Sequence, residues 1–129
     1  MTGRRRWDDS GVLSLSFALV FPAVLFLVIG VAQVALLWYS DSVALTAARE
    51  GVDAGRGYQS NDQAAQQRAT DFLALCQGLL DKPEVKVEHP DPNTIRVTVR
   101  FEPLFLPPGV SGLWITQSAT APIERYVAP

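Results

Sequence analysis

Cysteine and histidine each occur once in the 129 residues, and 13 Asp and Glu against 11 Lys and Arg leave a net charge of −2. A single cysteine, Cys76, excludes an internal disulfide framework and a Cys-rich zinc site. A slightly acidic chain offers no clustered basic face, so no nucleic-acid partner is expected. The scarcity that matters most is local. Between Asp9 and Asp41 there is no Asp, Glu, Lys, Arg or His.

What fills that gap is Val, Leu, Phe, Ile and Ala, from Gly11 to Tyr39. A helix rises about 1.5 Å per residue, so roughly 20 residues cross a hydrocarbon core of about 30 Å. The run exceeds that requirement. It also exceeds the usual h-region of about 7–15 residues in a cleavable secretory signal, and Pro22 lies inside it. It therefore reads as a membrane anchor. The cluster Arg4-Arg5-Arg6 before the run favours a cytoplasmic N-terminus and an outer C-terminus, although Arg49 and Arg56 follow on the other side. Trp38 and Tyr39 mark the outer interface. Within the run, Ser14, Ala18 and Pro22 recur every four residues as a small-residue stripe. With Gln33, the only long polar side chain there, they are the candidates for helix–helix packing.

The expected organisation is a basic cytoplasmic N-terminus over 1–10 and a transmembrane helix over 11–40. A helix continuation and linker over 41–57 and a small extracytoplasmic domain over 58–129 would follow. Asp41 to Asp53 is rich in helix formers, and Gly51, Gly55 and Gly57 are expected to end that helix. Tyr58-Gln59-Ser60 reads as linker. Ser60 followed by Gln63 has capping-box spacing and would open a second helix from about Asn61 to Leu80. Ala65, Ala69, Phe72, Leu73, Cys76, Leu79 and Leu80 form its buried stripe, while Arg68, Asp71 and Gln77 face away. Pro83 closes the helical stretch.

From Glu84 the period becomes two. Val85 and Val87 alternate with charged residues, Pro90 to Asn93 supplies a turn expected to exceed two residues, and Ile95, Val97, Val99 and Phe101 continue the alternation. Leu104, Phe105 and Leu106, in a Pro- and Gly-rich loop, are expected to cap the core; a partner-facing or membrane-grazing patch is the alternative. Ile115, Ala119, Ala121 and Ile123 suggest a third strand broken near Pro122. The fold class is α+β: a long transmembrane helix, then one helix on a three-stranded antiparallel sheet.

No constellation supports catalysis, so no enzyme, cofactor, metal or small-molecule substrate is expected. His89 reads as a solvated turn residue, and Glu84 and Glu88 as the wet face of a strand.

The order of segments resembles the TadE-like family, minor pilins or pseudopilins of the Tad/Flp tight-adherence pilus system, in its actinobacterial form. The residues that carry the resemblance are Gly11 at the start of the apolar run, Phe17-Ala18-Leu19-Val20-Phe21-Pro22, Ala47-Ala48-Arg49-Glu50-Gly51 past the membrane, and Ala121-Pro122-Ile123-Glu124-Arg125 near the end. The resemblance implies a single-pass protein of the cytoplasmic membrane that works with other pilins or pseudopilins and the Tad assembly platform, with incorporation in a surface pilus as a further implication. It also implies a prepilin-peptidase cut between Gly11 and Val12. Polymerising pilins carry a glutamate five residues after the glycine; Ser16 stands there. Such a subunit cannot offer a buried carboxylate to a neighbour's N-terminal amine. That leaves a permanent anchor, a cleaved subunit outside the fibre's length, or a terminal position. From a different class, the rival reading is a membrane-tethered extracytoplasmic binding module with no role in a fibre.

Overall fold

The computed structural model describes residues 9–57, 59–125 and 127–128. The basic cluster Arg4-Arg5-Arg6 and Tyr58 of the expected linker lie outside the described residues. Five elements follow in chain order: helices α1 (Asp9–Arg56) and α2 (Asp62–Leu75), then strands β1 (Leu80–Asp91), β2 (Thr94–Pro103) and β3 (Ile115–Pro122). The chain divides into two compact units at Val34 and Ala35.

The first unit is helical and outward-facing. From Gly11 to Ile29 every side chain is exposed, including Leu19, Phe26 and Leu27. Among the described residues there is one helix long and apolar enough to cross a membrane, and this stretch is its apolar part. The helix is unbroken at Pro22. Proline removes one backbone donor, a loss that membrane helices tolerate.

The second unit is an α+β layer. Its sheet has the order β1-β2-β3 and is antiparallel throughout. β2 is central, and its Ile95, Val97, Val99 and Phe101 are fully buried on one face. Alternation sends Arg96, Thr98 and Arg100 to the other face. Two helices cover the apolar face: α2, through Ala65, Ala69 and Leu73, and the outer part of α1, through Val43, Ala44, Ala47, Ala48 and Val52. The outer part of α1 is thus a core element.

That role explains the glycines. Gly51 and Gly55 do not end α1, which runs to Arg56; both are buried inside it. A Cβ at Gly51 would meet the Ala65 carbonyl oxygen at 3.0 Å and Ala69 Cβ at 3.1 Å. The glycines let α1 approach α2 and the sheet more closely than a side chain would permit. The helix ends instead at Gly57, where the Ser60 hydroxyl lies 2.7 Å from the Gly55 carbonyl and 2.6 Å from that of Gly57. Ser60 therefore closes α1 and does not cap α2. The α2 cap is Asn61, whose side chain accepts from the Ala64 N–H at 2.8 Å. An exposed helix start needs one such acceptor, and Asn serves as well as Ser.

α2 stops at Leu75, five residues before the expected end. Gly78 takes φ +98°, and Leu80 is drawn into β1 opposite Pro103. Pro83 does not lie outside regular structure: it sits in β1, between Asp81 and Glu84, where the register shifts and Lys82 adopts φ +46°. A proline at a bulge on an edge strand sacrifices no ladder bond. The hairpin turn is shorter than expected. Asp91 pairs with Thr94, so only Pro92 and Asn93 connect the strands, and a second irregularity between Glu88 and Asp91 absorbs the mismatch. β3 keeps an unbroken register with β2 up to Pro122 opposite Thr94.

Candidate interaction surfaces

In the apolar unit α1 is described from Asp9, so Gly11 lies within the helix. The Ser14 hydroxyl donates to the Gly11 carbonyl at 3.0 Å, and Val12 is exposed. Ser14, Ala18 and Pro22 are exposed and Gln33 is half-buried. At about 100° per residue, Gln33 falls roughly 20° from Pro22 around the helix axis. These four residues therefore share one side of the helix. Phe17 and Phe21 stack at 5.7 Å between ring centroids and border that side, Phe21 lying roughly 20° from Ser14.

In the second unit, polar contacts tie α1 to the other elements. Gln117 of β3 donates to Asp41 Oδ1 at 2.6 Å in a partly buried position. Ser40, 2% exposed, donates to the Leu36 carbonyl at 2.9 Å and lies 3.3 Å from that of Leu79. Arg68 of α2 reaches Glu50 of α1 at 3.0 Å across exposed surface. Within Ala47-Ala48-Arg49-Glu50-Gly51, Ala47, Ala48 and Gly51 are buried, Arg49 is exposed and Glu50 half-buried. The motif packs on one side of the helix and presents charge on the other.

His89 is exposed, yet it has partners. Its Nε2 lies 2.6 Å from Asp62 Oδ1 at the start of α2, and its Nδ1 lies 3.1 Å from the Thr94 carbonyl. The Asp62 hydrogen bond raises the His89 pKa above 6.5. This pair clips β1 to α2. Glu84 is exposed and Glu88 half-exposed; Lys86, 2.6 Å from Glu88, holds that carboxyl below its ordinary value. Cys76 is half-buried against the core just past α2. Among the described residues, no group of His, Cys, Asp and Glu is arranged to hold a metal ion.

Open grooves flank the sheet among the described residues. One, of about 520 Å³, lies between α2 and β1 and is lined by Gln66, Thr70, Leu73, Leu80 and Val85. Another, of about 420 Å³, runs between α1 and β3, with Leu45, Arg49 and Val52 on one wall and Ser118 and Thr120 on the other. Both are shallow, and neither gathers a nucleophile, base and oxyanion donors.

The expected core cap is not one. Leu104 and Phe105 are exposed and Leu106 half-buried, because the strand pairing ends at Pro103 and the chain leaves the sheet there. Composition alone could not separate an apolar loop folded inward from one facing out.

Residues 11–53 match a family model described as TadE-like protein. This segment is TadE-like. The TadE-like segment falls wholly within α1, taking in both its exposed apolar stretch and the part that packs in the head. The match takes in 43 of the 129 residues, and α1, which holds it, is long and apolar enough to cross a membrane. No curated protein and no solved structure matches the chain. Sequence reasoning missed that the TadE-like segment supplies half the helical layer of the head. The signal was present: Ala44, Ala47, Ala48, Gly51 and Gly55 recur every three or four residues, as buried positions of a helix do.

Proposed function

We propose that the protein is a minor pilin or pseudopilin, a non-enzymatic single-pass component of Tad/Flp pilus assembly, with its N-terminus inside and its α+β head outside. The observation that carries this reading is that the TadE-like match falls within one helix that is lipid-compatible in one part and core-forming in the other. An anchored head of this kind presents a folded surface next to the membrane, where other pilins and an assembly platform are met. The side bearing Ser14, Ala18, Pro22 and Gln33 is the surface for neighbouring helices. Ser14 and Ala18 let a second backbone come close there, with Leu25 and Ile29 filling the same side farther along.

Deleting the gene tests the role: surface pili and export of the major pilin are expected to be lost, and their persistence would refute it. Processing is a separate question. The Gly11–Val12 bond lies within α1 as it is described from Asp9. Mass spectrometry of the membrane-extracted protein reads the outcome. A new N-terminus at Val12 marks a processed subunit, and an intact Met1 marks a permanent anchor.

A further inference from the structure

The head has two chemically different ends. At one end, Ser40 lies 3.3 Å from the Leu79 carbonyl, and that carbonyl also accepts the Leu104 N–H at 3.5 Å. Asp41 and Gln117 join α1 to the start of β3 at the same end. At the other, the Glu124 N–H donates to the Arg56 carbonyl at 2.8 Å and the Ile123 N–H to that of Asn93 at 2.7 Å, beside the His89–Asp62 clip. Trp38 and Tyr39, immediately before Ser40, therefore share an end with the loop that follows Pro103.

That end carries an uncovered apolar cluster, bordered on the sheet side by Asp81, Lys82 and Glu102. Trp38 and Tyr39 are exposed, and so are Leu104, Phe105, Val110 and Leu113. From Pro103 to Trp114 the chain contains no charged residue. Leu75, the last residue of α2, is 85% exposed. The far end carries Asp53, Arg56, Asp62, Asp91, Glu124 and Arg125 and no comparable cluster of exposed large apolar side chains among the described residues. Just inside the apolar end, the Arg100 guanidinium lies 4.5 Å over the Trp114 ring. An aromatic ring with a cation above it suits the zone where acyl chains give way to headgroups.

An exposed apolar cluster on one end of a small domain needs a covering. The loop is shaped by turns at Gly109 and Gly112, which take φ +92° and +73°, and the Gly112 N–H donates to Glu102 at 3.2 Å. We propose that Leu104, Phe105, Val110 and Leu113 form a collar that enters the bilayer surface at the level of Trp38 and Tyr39, seating the head on the membrane. The occupant is lipid because the patch is continuous with the aromatic residues that close the apolar run. The proposal rests on the anchored reading above.

The test uses the full chain with Cys76→Ala, reconstituted in phosphatidylcholine–phosphatidylglycerol vesicles with or without brominated acyl chains. Single cysteines at Leu104→Cys, Val110→Cys, Asn93→Cys and Val24→Cys carry an environment-sensitive fluorophore. Labels at 104 and 110 are expected to show blue-shifted emission and loss of intensity to brominated lipid, with protection from aqueous iodide. The label at 93 is expected to show the reverse. If labels at 104 and 110 respond to iodide as 93 does, while 24 is quenched by lipid, the collar is overturned and the anchor stands. Shielding of 104 and 110 from both quenchers would mean that protein covers the patch, and would also overturn the proposal. Loss of lipid quenching at 24 would overturn the anchored reading itself. Two collar positions are used so that one poorly tolerated substitution does not decide the result.

Discussion

Gly55 of α1 and Ile95 of β2 meet so closely that a Cβ on the glycine would lie 2.5 Å from Ile95 Cδ1 and 2.7 Å from Ala65 Cβ. The Ile95 methyl can swing aside, but Ala65 has no torsion with which to retreat. The closeness of α1, α2 and β2 is therefore set at this point by the absence of one methyl group.

Gly55→Ala is expected to destabilise the head. Helix propensity favours Ala by about 1 kcal/mol, whereas overpacking costs about 1–3 kcal/mol. Here the steric term wins because the obstruction includes Ala65 itself. Gly51→Ala, where the nearest approaches are 3.0–3.1 Å, is expected to lose less. Urea titration of the full chain in detergent ranks the two variants, and equal or raised stability of Gly55→Ala would contradict the packing argument.

Gln117→Ala removes the donor to Asp41 and leaves a half-buried carboxylate without that partner. Removing one side of such a pair costs about 1–3 kcal/mol. Asp41→Asn is expected to cost less, since an amide oxygen still accepts. A double-mutant cycle on these two positions isolates their coupling, and a coupling near zero would show that the bond does not hold β3 to α1.

Arg68→Ala and Phe101→Ala probe opposite kinds of contact. The Arg68–Glu50 pair is solvent-exposed, so its loss is expected to cost about 0–1 kcal/mol and to shrink with salt. Phe101 is fully buried, and truncating it should cost about 3–5 kcal/mol. Denaturation midpoints compare them directly; a larger loss from the arginine would reverse the assignment of the core.

His89 binds its proton more tightly in the folded protein than in the unfolded chain, because Asp62 accepts its hydrogen bond. A raised folded pKa stabilises fully below the unfolded value of 6.5 and fades as pH rises through the folded value. Asp62→Asn is expected to return the His89 titration toward 6.5, read by NMR of the imidazole protons. An unchanged titration would mean that the carboxylate is not the cause.

Much of this fold was legible along the chain. The charge-free run and the alternation through β2 are patterns between sequence neighbours and appear where they were expected, as does the α2 stripe through Leu73, whereas Cys76, Leu79 and Leu80 fall beyond the helix. Boundaries were less legible. Ser60 and Asn61 are both good caps, and which one serves depends on the Gly55 and Gly57 carbonyls that draw Ser60 away. Pro83 and Pro90 read as breakers, yet both lie in β1 because an edge strand with shifted register accommodates them.

The sequence by itself determined a long apolar helix followed by an α+β head, since burial periodicity and the length of an uncharged run are local properties. It also carried the TadE-like resemblance, which resides in α1. Only the tertiary structure decided that Gly51 and Gly55 are close-packing positions and not helix ends, because a glycine's meaning depends on what approaches it from another part of the chain. The same holds for Leu104 and Phe105. Their apolarity is written in the sequence, but whether they face the core or the outside depends on where the strand pairing ends.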